Sequence, residues 1–301
     1  MTIVCLDQCA VGCLAERQLP QWESIREILE DGFKAARIVC PFPTETFLET
    51  ATCQNRALRI EIEAFFSKVS GGYRFRDFGE LIIDNSIALF RPDFEVESLQ
   101  KIDFHGWAGR DDLVSSLAKY HDSSRERLSK TISQHCYPPE AKSMSFDEVF
   151  RSAEKDRSDM MWGDLERFLK GSRSKDEFAL PWLIGGLIQQ RMTDCEAELL
   201  REAVRNGKWI KIMENKLELL LLSLWHHDKI QGRRKKHDPN DEIDRWRAVV
   251  GLSCAELFVT DRPAAALCKR VASLVGLHAE IIPVNQPDEI ISFLQSDEGC
   301  P

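Results

Sequence analysis

At both ends of the chain, short apolar runs alternate with segments of helical period, and few architectures accommodate that alternation. Thr2 to Leu6 is β-branched and apolar as far as Asp7, which predicts a buried strand. Helical spacing begins at Ala10 to Ala15 and continues through Trp22, Ile25, Ile28 and Leu29, with Gly32 where the C-terminal cap of the second helix belongs. Ala36 to Cys40 forms a second apolar run, after which Pro41, Phe42 and Pro43 turn the chain into a helix starting near Thr44. Strand, helix, helix, strand, helix favours parallel strands joined by crossover helices.

The last third repeats the pattern. Ile243, Trp246, Val249, Val250 and Cys254 mark one helical face in Asp241 to Cys254, and Leu257 to Val259 reads as a short strand closed by Thr260 and Asp261. Pro263 opens the next helix where proline fits best, and Leu267, Val271 and Leu274 continue it. Glu280 to Val284 gives one more strand and Pro287 to Leu294 a last helix. Neither end has enough strands alone, so the two are expected to share one sheet. The expected class is α/β, a central parallel sheet flanked by helices and interrupted by an inserted helical subdomain. The α/β domain is drawn from 1–60 and 237–301, and the insertion from 61–236. From about Ala57 to Lys236, Leu58 to Val69, Leu113 to Tyr120, Phe146 to Phe168, Leu183 to Arg191, Cys195 to Val204 and Trp209 to Trp225 are candidate helices, while Phe75 to Phe104 is ambiguous.

Of the 301 residues 43% are hydrophobic, ample for a core of this kind. No segment approaches the roughly 20 apolar residues of a membrane span, and no basic leader precedes the apolar stretch at the start of the sequence, so the expected setting is the cytoplasm with no membrane contact. The 10 cysteines are spread out with no CxxC pair, which suits a reducing compartment. Cys5 sits in a predicted strand, Cys9 and Cys13 on the helix after it, and small buried hydrophobes describe them better than metal ligands. The formal charge of -9 means that overall charge would not draw nucleic acid to the chain; a local basic patch and bound cations would be needed.

Four acidic positions lie at the C-terminal ends of predicted strands or on the first turns of the helices that follow, where open α/β sheets place ligands. They are Asp7, the pair Glu45 and Glu49, the cluster Asp241, Glu242 and Asp244, and Asp261. Carboxylates gathered at one edge repel one another unless a cation sits between them, and Mg²⁺ or Mn²⁺ is the usual hard-oxygen occupant. Such an ion polarises a phosphate oxygen and acidifies a bound water. Each acid also has a plainer explanation. Asp7, Asp241 and Asp261 could cap helices. Glu45 and Glu49 share a helical face, and the sequence does not separate them; Asp241 and Asp244 share another.

Ile3-Val4-Cys5-Leu6-Asp7-Gln8 resembles the first strand of PIN-like domains, which ends in a metal-binding aspartate. Val39-Cys40-Pro41 leading to Glu45 and Glu49 resembles their second acidic motif. Asp241-Glu242-Ile243-Asp244 followed by Leu257-Phe258-Val259-Thr260-Asp261 is similar to the third and fourth. The resemblance covers about the first 60 and last 65 residues of the sequence. It departs from many relatives in carrying Gln8 and Cys9 after the first aspartate, and in the length of its centre. What it implies is a Mg²⁺- or Mn²⁺-dependent nuclease, an endoribonuclease before a DNase. Asp7, Asp244 and Asp261 would hold the metal, with Glu45 or Glu49 and Asp241 completing the site.

Arg233-Arg234-Lys235-Lys236, directly before the Asp241 helix, could hold phosphates beside that site; it serves equally as a solvated loop at a domain boundary. His226 and His227 fit surface or capping positions, and the tryptophans fit the core. No dinucleotide, P-loop, HExxH or GxSxG spacing occurs. Two other classes stay open. One is a PIN-like binding or scaffold module without hydrolysis, in which the helical insertion contacts another protein or a second copy. The other is a Mg²⁺-dependent phosphatase-type enzyme, disfavoured because Asp7 is followed by Gln8 and Cys9 and the aspartate pair of the common phosphatase motif is lacking.

Overall fold

A computed structural model of the chain describes residues 1–16, 19–88, 91, 93–103, 106–132, 193, 195, 217, 220, 224 and 239–296. They fall into two compact units, one of Met1–Arg76, Ser98–Cys136 and Lys236–Pro301, the other of Asp77–Glu97 and Tyr137–Lys235.

In the first unit the chain starts with β1 (Thr2–Leu6), α1 (Gln8–Glu16), α2 (Pro20–Lys34), β2 (Ile38–Val39), α3 (Thr44–Thr52), α4 (Arg56–Val69) and β3 (Tyr73–Phe75). It resumes with β4 (Leu99–Lys101) after α5 (Phe78–Ala88), which belongs to the second unit. It then adds α6 (Asp111–Ile132), α7 (Pro239–Cys254), β5 (Leu257–Thr260), α8 (Arg262–Val275), β6 (Glu280–Pro283) and α9 (Pro287–Ser296).

The two ends of the chain share one sheet of 4 strands in the order β2-β1-β5-β6. Every neighbouring pair in it is parallel, with Val4, Cys5 and Leu6 beside Leu257, Phe258 and Val259. Parallel strands are covered by helices on both faces, which explains their unbroken apolar runs. Leu6, Leu257, Phe258 and Val259 are all buried.

Strand order reverses between β1 and β5: β1 leads through α1 and α2 to β2 on one side, and β5 leads through α8 to β6 on the other. Asp7 N–H donates to the Val259 carbonyl at 2.9 Å, so the ends of these two strands are locked together at the reversal. In open parallel sheets this is where a crevice forms and ligands bind.

Gly32 is not the cap expected from the sequence. It lies inside α2, which is capped by Ala35, and a Cβ there would come within 2.5 Å of Ile38 Cδ1. Its missing side chain lets α2 lie directly on β2. Gly251 does the same on the other side, where a Cβ would come within 2.6 Å of the Phe258 ring and push α7 off β5.

The Pro41-Phe42-Pro43 turn is fixed from beyond its own neighbourhood. Phe42 N–H donates to Tyr73 O at 3.0 Å and its carbonyl accepts from Phe75 N–H at 3.2 Å. The Phe42 ring stacks on Phe66 with centroids 4.0 Å apart, and Phe47 of α3 packs edge-on to Phe42 and at 4.4 Å from Trp107. This aromatic cluster anchors α3 and hence Glu45 and Glu49.

The ambiguous stretch after Phe75 holds β4, which pairs antiparallel with β3. Such 3-residue strands are too short for periodicity to reveal. In the second unit, α5 buries Phe78, Leu81 and Ile87, and Leu217, Leu220 and Leu224 are buried helical positions. The candidate helices Phe146 to Phe168 and Leu183 to Arg191 lie outside the described residues, as do most of Cys195 to Val204 and Trp209 to Trp225. Among the described residues no helix is long and apolar enough to cross a membrane.

Candidate functional site

Asp7 leaves the C-terminal end of β1 and is 8% exposed. Its Oδ1 accepts from Gln8 N–H at 2.6 Å and from the Nη1 of Arg247; its Oδ2 accepts from the Thr260 hydroxyl at 2.6 Å and from the Cys9 thiol at 3.6 Å. A carboxylate offers about four lone-pair sites, so Asp7 is saturated. Burial alone would push its carboxyl pKa up. The Arg247 charge and the bonds from Thr260, Arg247 and Gln8 outweigh that and hold it below the usual range.

Arg247, on α7, is the centre of the arrangement. It is 1% exposed, yet it lies among charged groups from three elements. Its Nη1 meets Asp7, its Nη2 meets Glu49 Oε2 on α3, and Nη1 lies 3.5 Å from Asp244 Oδ1 one turn earlier on α7. Burial opposes the guanidinium charge, but Asp7, Glu49, Asp244 and Glu45 more than restore it. Its buried Nε finds no acceptor among the described residues, and a buried donor left in that state costs about 1–3 kcal/mol.

The other predicted acids divide. Glu45 is 5% exposed and acts on Arg247 through its charge, whereas Glu49 makes the direct contact. Asp244 is half-exposed beside Arg247. Asp261 is exposed and caps α8, its Oδ1 accepting from Ala264 N–H at 2.7 Å; its charge nevertheless reaches the thiols of Cys9 and Cys268, the latter pushed up to about 12, chiefly by burial. Thr260, its neighbour, ties β5 to the Asp7 carboxylate through its hydroxyl. Asp241 and Glu242 lie on α7, but their side chains are outside the description, as are Arg233, Arg234, Lys235, Lys236, His226 and His227. Cys5, Cys9 and Cys13 are free thiols, with Cys5 buried in β1.

Asp7, Glu49 and Asp244 thus meet one cation, and that cation is a side chain. Their oxygens suit Mg²⁺ or Mn²⁺ in kind, but as arranged they do not fit one. Asp7 has no acceptor site left, and among the described residues no group of three or more His, Cys, Asp or Glu is disposed to hold a metal.

Arg247 and the Thr260 hydroxyl are the participants that reading the acids leaves out. The signal for Arg247 was available: it stands four residues after Ile243 and three before Val250, both buried, so helical spacing puts it on the buried face of α7. A charge there demands partners. Comparison of the chain with family models, with curated proteins and with solved structures found no match.

Proposed function

We propose that the chain is a PIN-like nuclease that hydrolyses phosphodiester bonds, RNA before DNA, with a helical insertion in its α/β domain. The observation that carries the reading is the meeting of Asp7, Glu49 and Asp244, from three separate elements, where the strand order reverses. Three carboxylates drawn from such distant parts of the chain are costly to collect, and the sheet's reversal is where a substrate has access. Asp7 is kept ionised and oriented by Thr260, Gln8 and Arg247. The reading brings with it Mg²⁺ or Mn²⁺ and a cytoplasmic setting.

The test is incubation of labelled single-stranded RNA with Mn²⁺, comparing wild type, Asp7→Asn and Asp261→Asn. Cleavage by wild type that Asp7→Asn abolishes is the expected result; cleavage undiminished in both variants rejects the site. The second reading, a PIN-like module that binds another protein or a second copy without hydrolysis, is favoured by the saturation of Asp7. It predicts no cleavage with any divalent ion.

A further inference from the structure

Arg247 contacts the very oxygens that a divalent ion would need. Its two terminal nitrogens bind Asp7 and Glu49, its flank lies 3.5 Å from Asp244, and it is held there at 1% exposure by a helix that Gly251 seats against Phe258. The guanidinium is nonetheless imperfectly matched to the pocket, since its Nε has no acceptor among the described residues. Two cations cannot share Asp7, because its remaining acceptor sites are filled by Gln8, Thr260 and Cys9.

We propose that Arg247 is the site's own counter-cation and that it and a divalent ion exclude one another at Asp7 and Glu49, so that this arginine sets the chain's affinity for metal. An ion gains the two carboxylates only when the guanidinium has withdrawn. Apparent affinity is divided by the fraction of molecules in that withdrawn state, so a fraction of one in ten or less weakens it by about tenfold or more. The inference takes its ion from the nuclease reading but concerns binding, not turnover.

Mn²⁺ binding to the full chain, followed by the loss of the free-ion electron paramagnetic signal, tests it on wild type and Arg247→Gln. The expected result is at least about tenfold tighter binding by Arg247→Gln, together with a larger rise in melting temperature when Mn²⁺ is added to the variant. Equal affinities in the two proteins, or no binding by the variant, overturn the proposal. Should the variant fail to fold, crystals of wild type soaked in Mn²⁺ decide: an ion found on Asp7 and Glu49 only with Arg247 swung away upholds it, and an ion there with Arg247 still bonded to both, or no ion there at all, overturns it. Tight binding by Arg247→Gln with RNA left intact refutes the nuclease reading alone; cleaved RNA with equal affinities refutes this inference alone.

Discussion

Two buried arginines in the first unit each bridge a pair of carboxylates, and their settings differ. Arg26 on α2 takes Glu30 one turn along its own helix at 3.0 Å and Glu61 of α4 at 2.6 Å, while Lys68 joins Glu30 at 3.2 Å and the guanidinium rests 5.6 Å from the centre of the Phe65 ring. Its partners are nearby in sequence, and Glu61 is 35% exposed. Arg247 draws its partners from 240 and 198 residues away and holds them at the end of the sheet. The Arg26 cluster clamps two helices at the surface, where water shares the work. In the Arg247 cluster Asp7 and Glu49 are largely shielded and only Asp244 reaches water, at the edge, and the cluster stands where a fold of this class keeps its chemistry. A buried arginine by itself therefore says little about function; the place in the topology and the reach of its partners say more.

The widest gap between the clusters should appear when each arginine is replaced. Without added metal, Arg247→Gln is expected to cost about 3–5 kcal/mol, because it strands buried carboxylates, and Arg26→Gln about 1.5–3 kcal/mol, both read from urea unfolding. Equal losses would erase the difference between the two clusters.

The glycines that seat the two helices sharpen the comparison. Gly251→Ala drives a methyl into Phe258, and overpacking of this kind costs about 1–3 kcal/mol. It should also loosen Arg247, one turn away, so that crystals of the variant show the guanidinium shifted from Asp7. Gly32→Ala meets Ile38 instead and should leave the Arg26 contacts in place.

Acid separates the clusters further. The folded Asp7 carboxyl lies below its unfolded value of about 3.9, so its pairing stabilises the fold above that pH and the contribution is lost as pH falls through the folded value. Each unit of separation is worth about 1.4 kcal/mol. In Glu30, burial likewise pushes the carboxyl up, while the hydrogen bonds from Arg26 and Lys68 bring it below the usual range; solvent at that site makes its share smaller. Asp7→Asn should flatten the acid limb of the stability curve more than Glu30→Gln does. A limb unchanged in Asp7→Asn would show Asp7 unpaired in solution.

Salt gives the smallest effect. Lys68→Ala should cost about 0.2–1 kcal/mol at low ionic strength and almost nothing in 1 M salt, where screening falls to about 3 Å. The loss in Arg247→Gln should persist there.

The sheet was readable from the sequence because burial on both faces leaves a strand uniformly apolar: Thr2 to Leu6 and Leu257 to Thr260 were found to within a residue, and the acids at their ends with them. Glycine misled, since Gly32 in a sequence looks the same as a cap and as a gap for a neighbouring strand. The β3–β4 pair was hidden by its shortness. Arg247 was hidden by its company: between Trp246 and Ala248, in a helix rich in charge, it passes for a solvated side chain. The helical spacing from Ile243 to Val250 is the one cue that sets it on the buried face.

The pairing of β1 with both β2 and β5 has a consequence for the order in which the molecule is made. One edge of the first strand finds its neighbour within about 40 residues of itself, while the other edge stays open until residue 257 emerges. At translation speeds of 5–20 residues per second that wait lasts roughly 10–45 s. For most of it Asp7 has neither Thr260 nor Arg247 beside it, so a ribosome-bound chain carries an unassembled site. Whatever chemistry the acids perform is withheld until residues 247–260 fold back against β1.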